Sequence, residues 1–299
     1  MVSYGFLYVL FKRCISILSL IMMLIVGPAE ANIPVPDGME VLDKTYYFFE
    51  DRYMSNQGIT NDGEYFYFSG KKNLGKAKIE GGEIRLVMTN AIPDELAEKG
   101  CNHIGGLSYY NGKIYAAIED GPEYQHPFIA LYDAETLEYT GVAYELPQRL
   151  HVDGVPWCAI NAEEGLLYTA EWENAKVLNV FKLDTMKFLY ALPLSQEIDQ
   201  VQGGEVFGNS LYLSADEKAD EKSIFKVNLL TGKVETFMTR AIGADHEAED
   251  MTVYANASGY PVFCIVDRTA ENRSTTLTRY IIAKYKLFFP FFRNILRST

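Results

Sequence analysis

Residues 245–253 read DHEAEDMTV, with Asp245, His246, Glu247, Glu249 and Asp250 filling five of six consecutive positions before an apolar strand begins. Carboxylates so close together raise one another's pKa unless a cation, an arginine or a lysine compensates them. Three kinds of chemistry use such a group. It can hold a hard cation through oxygen ligands, supply a general acid or base with a displaced pKa, or serve as a solvated loop in an acidic protein. Similar residues recur along the chain at His103, Glu119, His151, Asp153, Glu171, Glu205 and Asp216. What they can do together depends on the elements that carry them.

Several chemistries have no support in the sequence. There is no GxSxG nucleophile elbow, no P-loop and no GxGxxG before a helix. No cysteine or histidine spacing suggests zinc. Beyond Cys14, the cysteines are Cys101, Cys158 and Cys264, so at most one disulfide can form and at least one thiol stays unpaired. The formal net charge is -13, although residues 268–299 carry seven Lys or Arg and one acid. So acidic a body argues against nucleic-acid binding, which needs a basic surface.

At the N-terminus, Lys12 and Arg13 precede CISILSLIMMLIV and then GPAEA. A basic start, a short apolar run and the small-x-small signal Ala29-Glu30-Ala31 describe a signal peptide over 1–31. The alternative is an uncleaved anchor, and either one places residues 32–299 outside the cytoplasm. The run is shorter than the ~20 apolar residues of a transmembrane helix. At the other end, FFPFFRNILRST over 288–299 combines four Phe with two Arg. That composition fits either packing on the body or contact with an anionic membrane surface.

Between these ends the chain repeats. NQGITNDGEYFYFSG begins at Asn56, HIGGLSYYNGKIYAAIED at His103 and DGVPWCAINAEEGLLYTAEW at Asp153. QGGEVFGNSLYLSAD begins at Gln202 and EAEDMTVYANASGYPVFCIVD at Glu247, so the starts lie 47, 50, 49 and 45 residues apart. Each segment reads as two strands around a turn such as Asp62-Gly63 or Asn111-Gly112, where Gly and Asn accept positive φ. Second hairpins follow in AKIEGGEIRLVM, IALYDAETLEYTG, NVFKLDTMKFLYAL and IFKVNLLTGKVETFM. Four antiparallel strands per ~47 residues, with no amphipathic helix between units, predict an all-β fold, a β-propeller over 32–287. Five four-stranded blades are expected, with six as the alternative. The strand in MEVLDKTYYFFED has no partner of its own and is expected to close the ring on the last blade, whose third strand is placed at 277–287. A monomer is expected.

Five blades behind a signal peptide, with Gln57-Gly58 leading the first inner strand and Tyr67-Phe68-Ser69 ending the second, resemble the plant- and bacterial-type glutamine cyclotransferases. That resemblance implies a five-bladed propeller that cyclises N-terminal glutamine. The family's Glu-Leu-Glu-Trp stretch is replaced here by Ala170-Glu171-Trp172. A looser resemblance, through carboxylates around a central channel, is to calcium-dependent lactonase propellers.

Numbering a blade's strands A to D outward from the axis, the start of A and the end of B lie at one mouth of the channel. Gln57, His103, His151, Asp153, Gln202, Glu205, Glu247, Glu249 and Asp250 belong to the first set. Glu119, Glu171 and Asp216 belong to the second. On chemistry, Glu171, Glu249 and His103 are the candidate acid–base groups. Gln57, His151, Asp153, Trp157, Trp172 and Gln202 are candidate ligand contacts. Glu119, Asp216, Glu205 and Asp250 are candidate ligands of one divalent cation, with calcium preferred. The expected function is binding of a small polar ligand, a peptide or a glycan at this mouth. The alternative is a metal-dependent hydrolase or a glutamine-cyclotransferase-like acyltransferase.

Overall fold

A computed structural model describes residues 38–48, 57–217, 221–269 and 274–284. The signal peptide expected over 1–31 and the Phe-rich tail at 288–299 lie outside the described residues. No helix among those described is long and apolar enough to cross a membrane.

Strand β1 spans Met39–Phe48. The first blade then contains β2 (Ile59–Asn61), β3 (Tyr65–Ser69), β4 (Leu74–Lys78) and β5 (Ile84–Met88). The second contains β6 (His103–Tyr110), β7 (Lys113–Glu119), β8 (Phe128–Asp133) and β9 (Tyr139–Glu145). The third contains β10 (Ala159–Asn161), β11 (Leu166–Thr169), β12 (Ala175–Lys182) and β13 (Lys187–Ile198). The fourth contains β14 (Val201–Phe207), β15 (Ser210–Ala215), β16 (Lys222–Asn228) and β17 (Val234–Arg240). The fifth contains β18 (His246–Ala255), β19 (Pro261–Thr269) and β20 (Ser274–Ile282), with β1 as its outermost strand. The structure is a five-bladed β-propeller, and the N-terminal strand closes the ring.

Strand β20 starts earlier and ends earlier than the expected 277–287. Its start, Ser274–Thr276, is polar rather than alternating, and it is held as a strand by pairing with β19, from Arg268↔Thr275 to Val262↔Ile281. The two-residue A–B turn at Asn111-Gly112 has φ of +49° and +74°, and joins Tyr110 to Lys113 across β6 and β7. That is the mirror-image turn that matches strand twist.

The buried apolar residues divide into five clusters, one in each wedge between neighbouring blades. Between blades 4 and 5, for example, Tyr212, Phe237 and Phe263 meet with ring centroids 4.8–5.1 Å apart. Each blade is apolar on both faces, as it must be when it packs against two others. Cys101, Cys158 and Cys264 are free thiols, each buried in or beside these wedges, and burial pushes the Cys101 thiol up to about 12.

Inner strands approach the axis closely. A Cβ on Gly203 would lie 1.7 Å from Asp250 Oδ1, and one on Gly105 would lie 2.2 Å from the Pro156 carbonyl oxygen. Only glycine lets the inner strands pack this tightly.

Candidate functional site at the channel mouth

Three of the A strands carry a register irregularity near their starts: Ile104/Leu107, Val201/Gly203 and Ala248/Met251. An extra residue in a strand bends it and re-aims side chains, commonly beside functional sites. Above these irregularities lies a cleft of about 790 Å³ to which every blade contributes. Gln57 and Lys71 come from blade 1, and Asn102, His103, Glu119 and Tyr124 from blade 2. Blade 3 supplies Asp153, Pro156 and Trp172, and blade 4 supplies Gln200, Gln202 and Asp216. Glu247, Glu249 and Arg268 complete it from blade 5.

A polar chain crosses the cleft floor through three blades. Gln57 Nε2 donates to Glu249 Oε1 at 3.1 Å, and its Oε1 makes a close hydrogen bond with His103 Nε2. His103 Nδ1 then meets Glu119 Oε1 at 2.9 Å, and Glu119 Oε2 accepts from the Val155 N–H at 2.8 Å. Both ring nitrogens therefore face oxygen atoms, which fixes the plane of the imidazole. Gly154, with φ of +99°, makes room for Glu119, because a Cβ there would lie 2.1 Å from Oε2. Glu249 is buried, and desolvation pushes its carboxyl well above the usual range. Glu247 adds to the rise and Arg268 opposes it.

Asp250 and Glu205 sit below this floor, at the axis. Asp250 is fully buried and accepts from its own strand at Met251 N (2.7 Å). It also accepts from blade 1 at Ile59 N (3.0 Å) and blade 2 at Leu107 N (3.3 Å). One carboxyl thus ties three blades together. Burial pushes it up, while the three N–H donors pull the other way. Glu205 accepts from Thr252 Oγ1 at 2.9 Å and Thr60 Oγ1 at 3.4 Å, joining blades 4, 5 and 1. Burial pushes its carboxyl from 4.5 up to about 7. In that window the folded protein keeps a proton that the unfolded chain has released, so stability falls as pH rises. Each tenfold change in proton affinity is worth ~1.4 kcal/mol, so the full loss is on the order of 3–4 kcal/mol at most. Glu205→Gln keeps an acceptor but removes the titration, so calorimetry from about pH 5 to pH 8 should show a smaller loss of stability than in wild type. An equal loss in both proteins would exclude Glu205 as the source.

Some expected site residues lie elsewhere. His151 is fully buried, with Nε2 2.8 Å from Thr169 Oγ1, Nδ1 3.2 Å from the Pro147 carbonyl and its ring stacked on Phe181. Desolvation lowers its pKa to about 4. It anchors the loop before blade 3 and is not at the mouth. Trp157 is also fully buried, in the wedge between blades 3 and 4. Glu171 is half-buried and outside the cleft lining, its carboxyl raised by burial and then by Asp153. The residues present do not fit a shared cation. Asp216 pairs with Lys222 Nζ at 2.6 Å, and Glu119, Glu205 and Asp250 have the protein partners given above. Among the described residues, no three His, Cys, Asp or Glu form a group that could hold a metal.

Other lining residues carried no expectation. Lys71 follows the B strand of blade 1, in the same topological position as Glu119 or Asp216 in their blades, and that rule alone would have found it. Asn102 donates from Nδ2 to the Gly121 carbonyl at 2.7 Å. Tyr124 has φ of +48° in a loop whose N–H groups at Gln125 (3.1 Å) and His126 (2.7 Å) donate to Asp120. Only a residue-level view of that loop could have placed its ring.

No family model matches the chain, and no curated protein matches it in sequence. Solved structures do resemble it. A hydrazine synthase from Kuenenia stuttgartiensis aligns at 12% identity and a TM-score of 0.42, over 76% of this chain and 59% of that one. A tail fibre of Staphylococcus aureus phage P68 aligns at 16% identity and 0.52, over 84% and 54%. The chain therefore spans little more than half the length of these two. The β-xylosidase RS223 aligns at 10% identity and 0.52, over 79% of this chain and 94% of that one. At such identities, what this chain shares with the phage tail fibre and the xylosidase is the fold.

Proposed function

We propose that this propeller binds a small polar ligand in the cleft at its channel mouth, outside the cytoplasm. The observation that carries this reading is the chain Glu249–Gln57–His103–Glu119. It brings three blades' side chains to one floor, inside the cleft, with glycine reserved at position 154 to admit the last of them. A concave site with a few convergent polar groups and a displaced carboxyl is the usual form of a binding site. The leader supports the location.

Glu249 also favours a second reading. A buried carboxyl raised by desolvation can act as a general acid or base, and His103, oriented by Glu119, lies beside it across Gln57. The hydrolase or glutamine-cyclotransferase-like alternative would use these two groups.

His103→Ala tests the site. Thermal melting against a panel of amino-acid amides, polyamines, saccharides and calcium should find at least one compound that raises the midpoint of wild type. His103→Ala should reduce that rise while leaving the β circular-dichroism spectrum unchanged, because the side chain lies outside the wedges. A panel in which every stabilising compound acts equally on both proteins would move the site away from the cleft. Stabilisation by calcium alone, reversed by chelator, would favour the cation-dependent alternative.

A further inference from the structure

Most of the cleft's ionic groups are answered within the protein; among the described residues the exception is Lys71, which is exposed at the cleft and has no side-chain partner. Arg268 Nη1 pairs with Glu247 at 2.8 Å, Lys222 with Asp216 at 2.6 Å, and His103 with Glu119 at 2.9 Å. Asp153 accepts the N–H groups of Trp172 (3.1 Å) and Glu173 (2.6 Å), and Glu249 is buried beside Gln57. A ligand that competed for Asp216 would have to break its largely desolvated pair with Lys222, which is costly, whereas the exposed Arg268–Glu247 pair contributes little.

The remaining surface of the cleft is of another kind. Gln200 and Gln202 line it with primary amides that have no side-chain hydrogen bond among the described residues. Each amide offers two donors and an acceptor. Two aromatic rings accompany them from corresponding loops of adjacent blades, Tyr124 after β7 and Trp172 after β11. Both are held in advance. Asp120 fixes the backbone of the loop after Tyr124, Gln148 Nε2 donates to the Tyr124 carbonyl at 3.3 Å, and Asp153 fixes the backbone at Trp172. Positive φ at a tyrosine is strained, and such strain persists at ligand clamps. Trp172 stays only half-buried at the cleft, whereas Trp157 is fully buried in the core. The two rings are thus presented to the cleft, and Trp172 is not consumed by packing.

On the reading that this cleft binds a ligand, we propose that the ligand is a neutral saccharide. A sugar ring has an apolar C–H face and a rim of hydroxyls that both donate and accept. Aromatic faces answer the first, and unpaired amides answer the second. No charge on the ligand is required by these contacts.

Ligand-observed NMR on the full chain tests this, with neutral pentose and hexose mono- and disaccharides as probes. Putrescine, glutamine amide and a hexuronic acid serve as comparison ligands. At least one neutral sugar should bind, with Kd raised ~10-fold or more by Trp172→Ala, since aromatic anchors dominate such contacts. Gln202→Ala should raise it ~3-fold or more, by loss of a neutral hydrogen bond. A His103→Ala protein serves as the control for the cleft. If only a charged ligand or the amide binds and His103→Ala abolishes that binding, the cleft reading stands and the saccharide is overturned. If a neutral sugar binds equally well to wild type, Trp172→Ala and Gln202→Ala, the proposed contacts are overturned. If no probe binds at all, both readings are overturned.

Discussion

A chain that lacks residues 1–56 is expected to lose cooperative melting. β1 pairs with β20 from Met39↔Ile282 to Phe48↔Ser274, and it ties the chain that enters the first blade to the sheet of the last. Without it, the β20 edge exposes a row of unpaired N–H and C=O groups, which invites association with other chains. Met39 leaves the wedge between blades 4 and 5, and Leu42 leaves its place against the wedge between blades 5 and 1. Burying each such side chain contributes ~1.5–3 kcal/mol. Arg279, which donates from Nε to Asp43 at 2.7 Å, loses its carboxylate. These losses together reach the lower end of the ~5–15 kcal/mol total stability of a domain. Circular-dichroism melting should show a broad, early transition, and a peptide of residues 39–48 added in trans should partly restore the sharp one. A truncated chain melting cooperatively at the wild-type temperature would show that β1 is dispensable.

Asp267→Ala is expected to destabilise the fold by about 3–5 kcal/mol, the usual cost of leaving one partner of a buried ion pair alone. Arg240 Nη1 reaches both Asp267 oxygens at 2.7 and 2.6 Å, and both residues are buried, linking the last strand of blade 4 to the second strand of blade 5. The double substitution Arg240→Met with Asp267→Leu should recover most of that loss, because two desolvation costs vanish along with the attraction. Denaturant unfolding of the three proteins decides it. A single variant as stable as wild type, or a double variant no better than the single, would contradict this account of the pair.

The repeat made the blades legible. Four strands must recur for each blade to bury both faces, and the turns that join them need particular residues, so spacing and turn chemistry showed directly in the letters. The closing strand was legible because MEVLDKTYYFFED, with its Val, Thr and aromatic residues, has no local partner. The mouth was legible as a face, since A-strand starts and B-strand ends must share one side of the ring. Depth was not. His151 and Trp157 lie on the right stretches of chain but point into the protein, and no periodicity in a loop tells inward from outward. Glu249 and Asp250 show the same limit within a strand. The register irregularity between Ala248 and Met251 sends one carboxyl to the cleft floor and the other to the axis. Pairing was also hidden. Lys222, which answers Asp216, opens a different strand, and no spacing in the sequence links the two.

Asp250 belongs to the fifth blade, yet its carboxyl is held by N–H groups of the first and second blades. The ring is therefore latched at its hub as well as at its rim, where β1 pairs with β20. A blade cannot swing outward about the rim seam without also drawing a buried carboxyl away from its donors, so the two fastenings resist opening together.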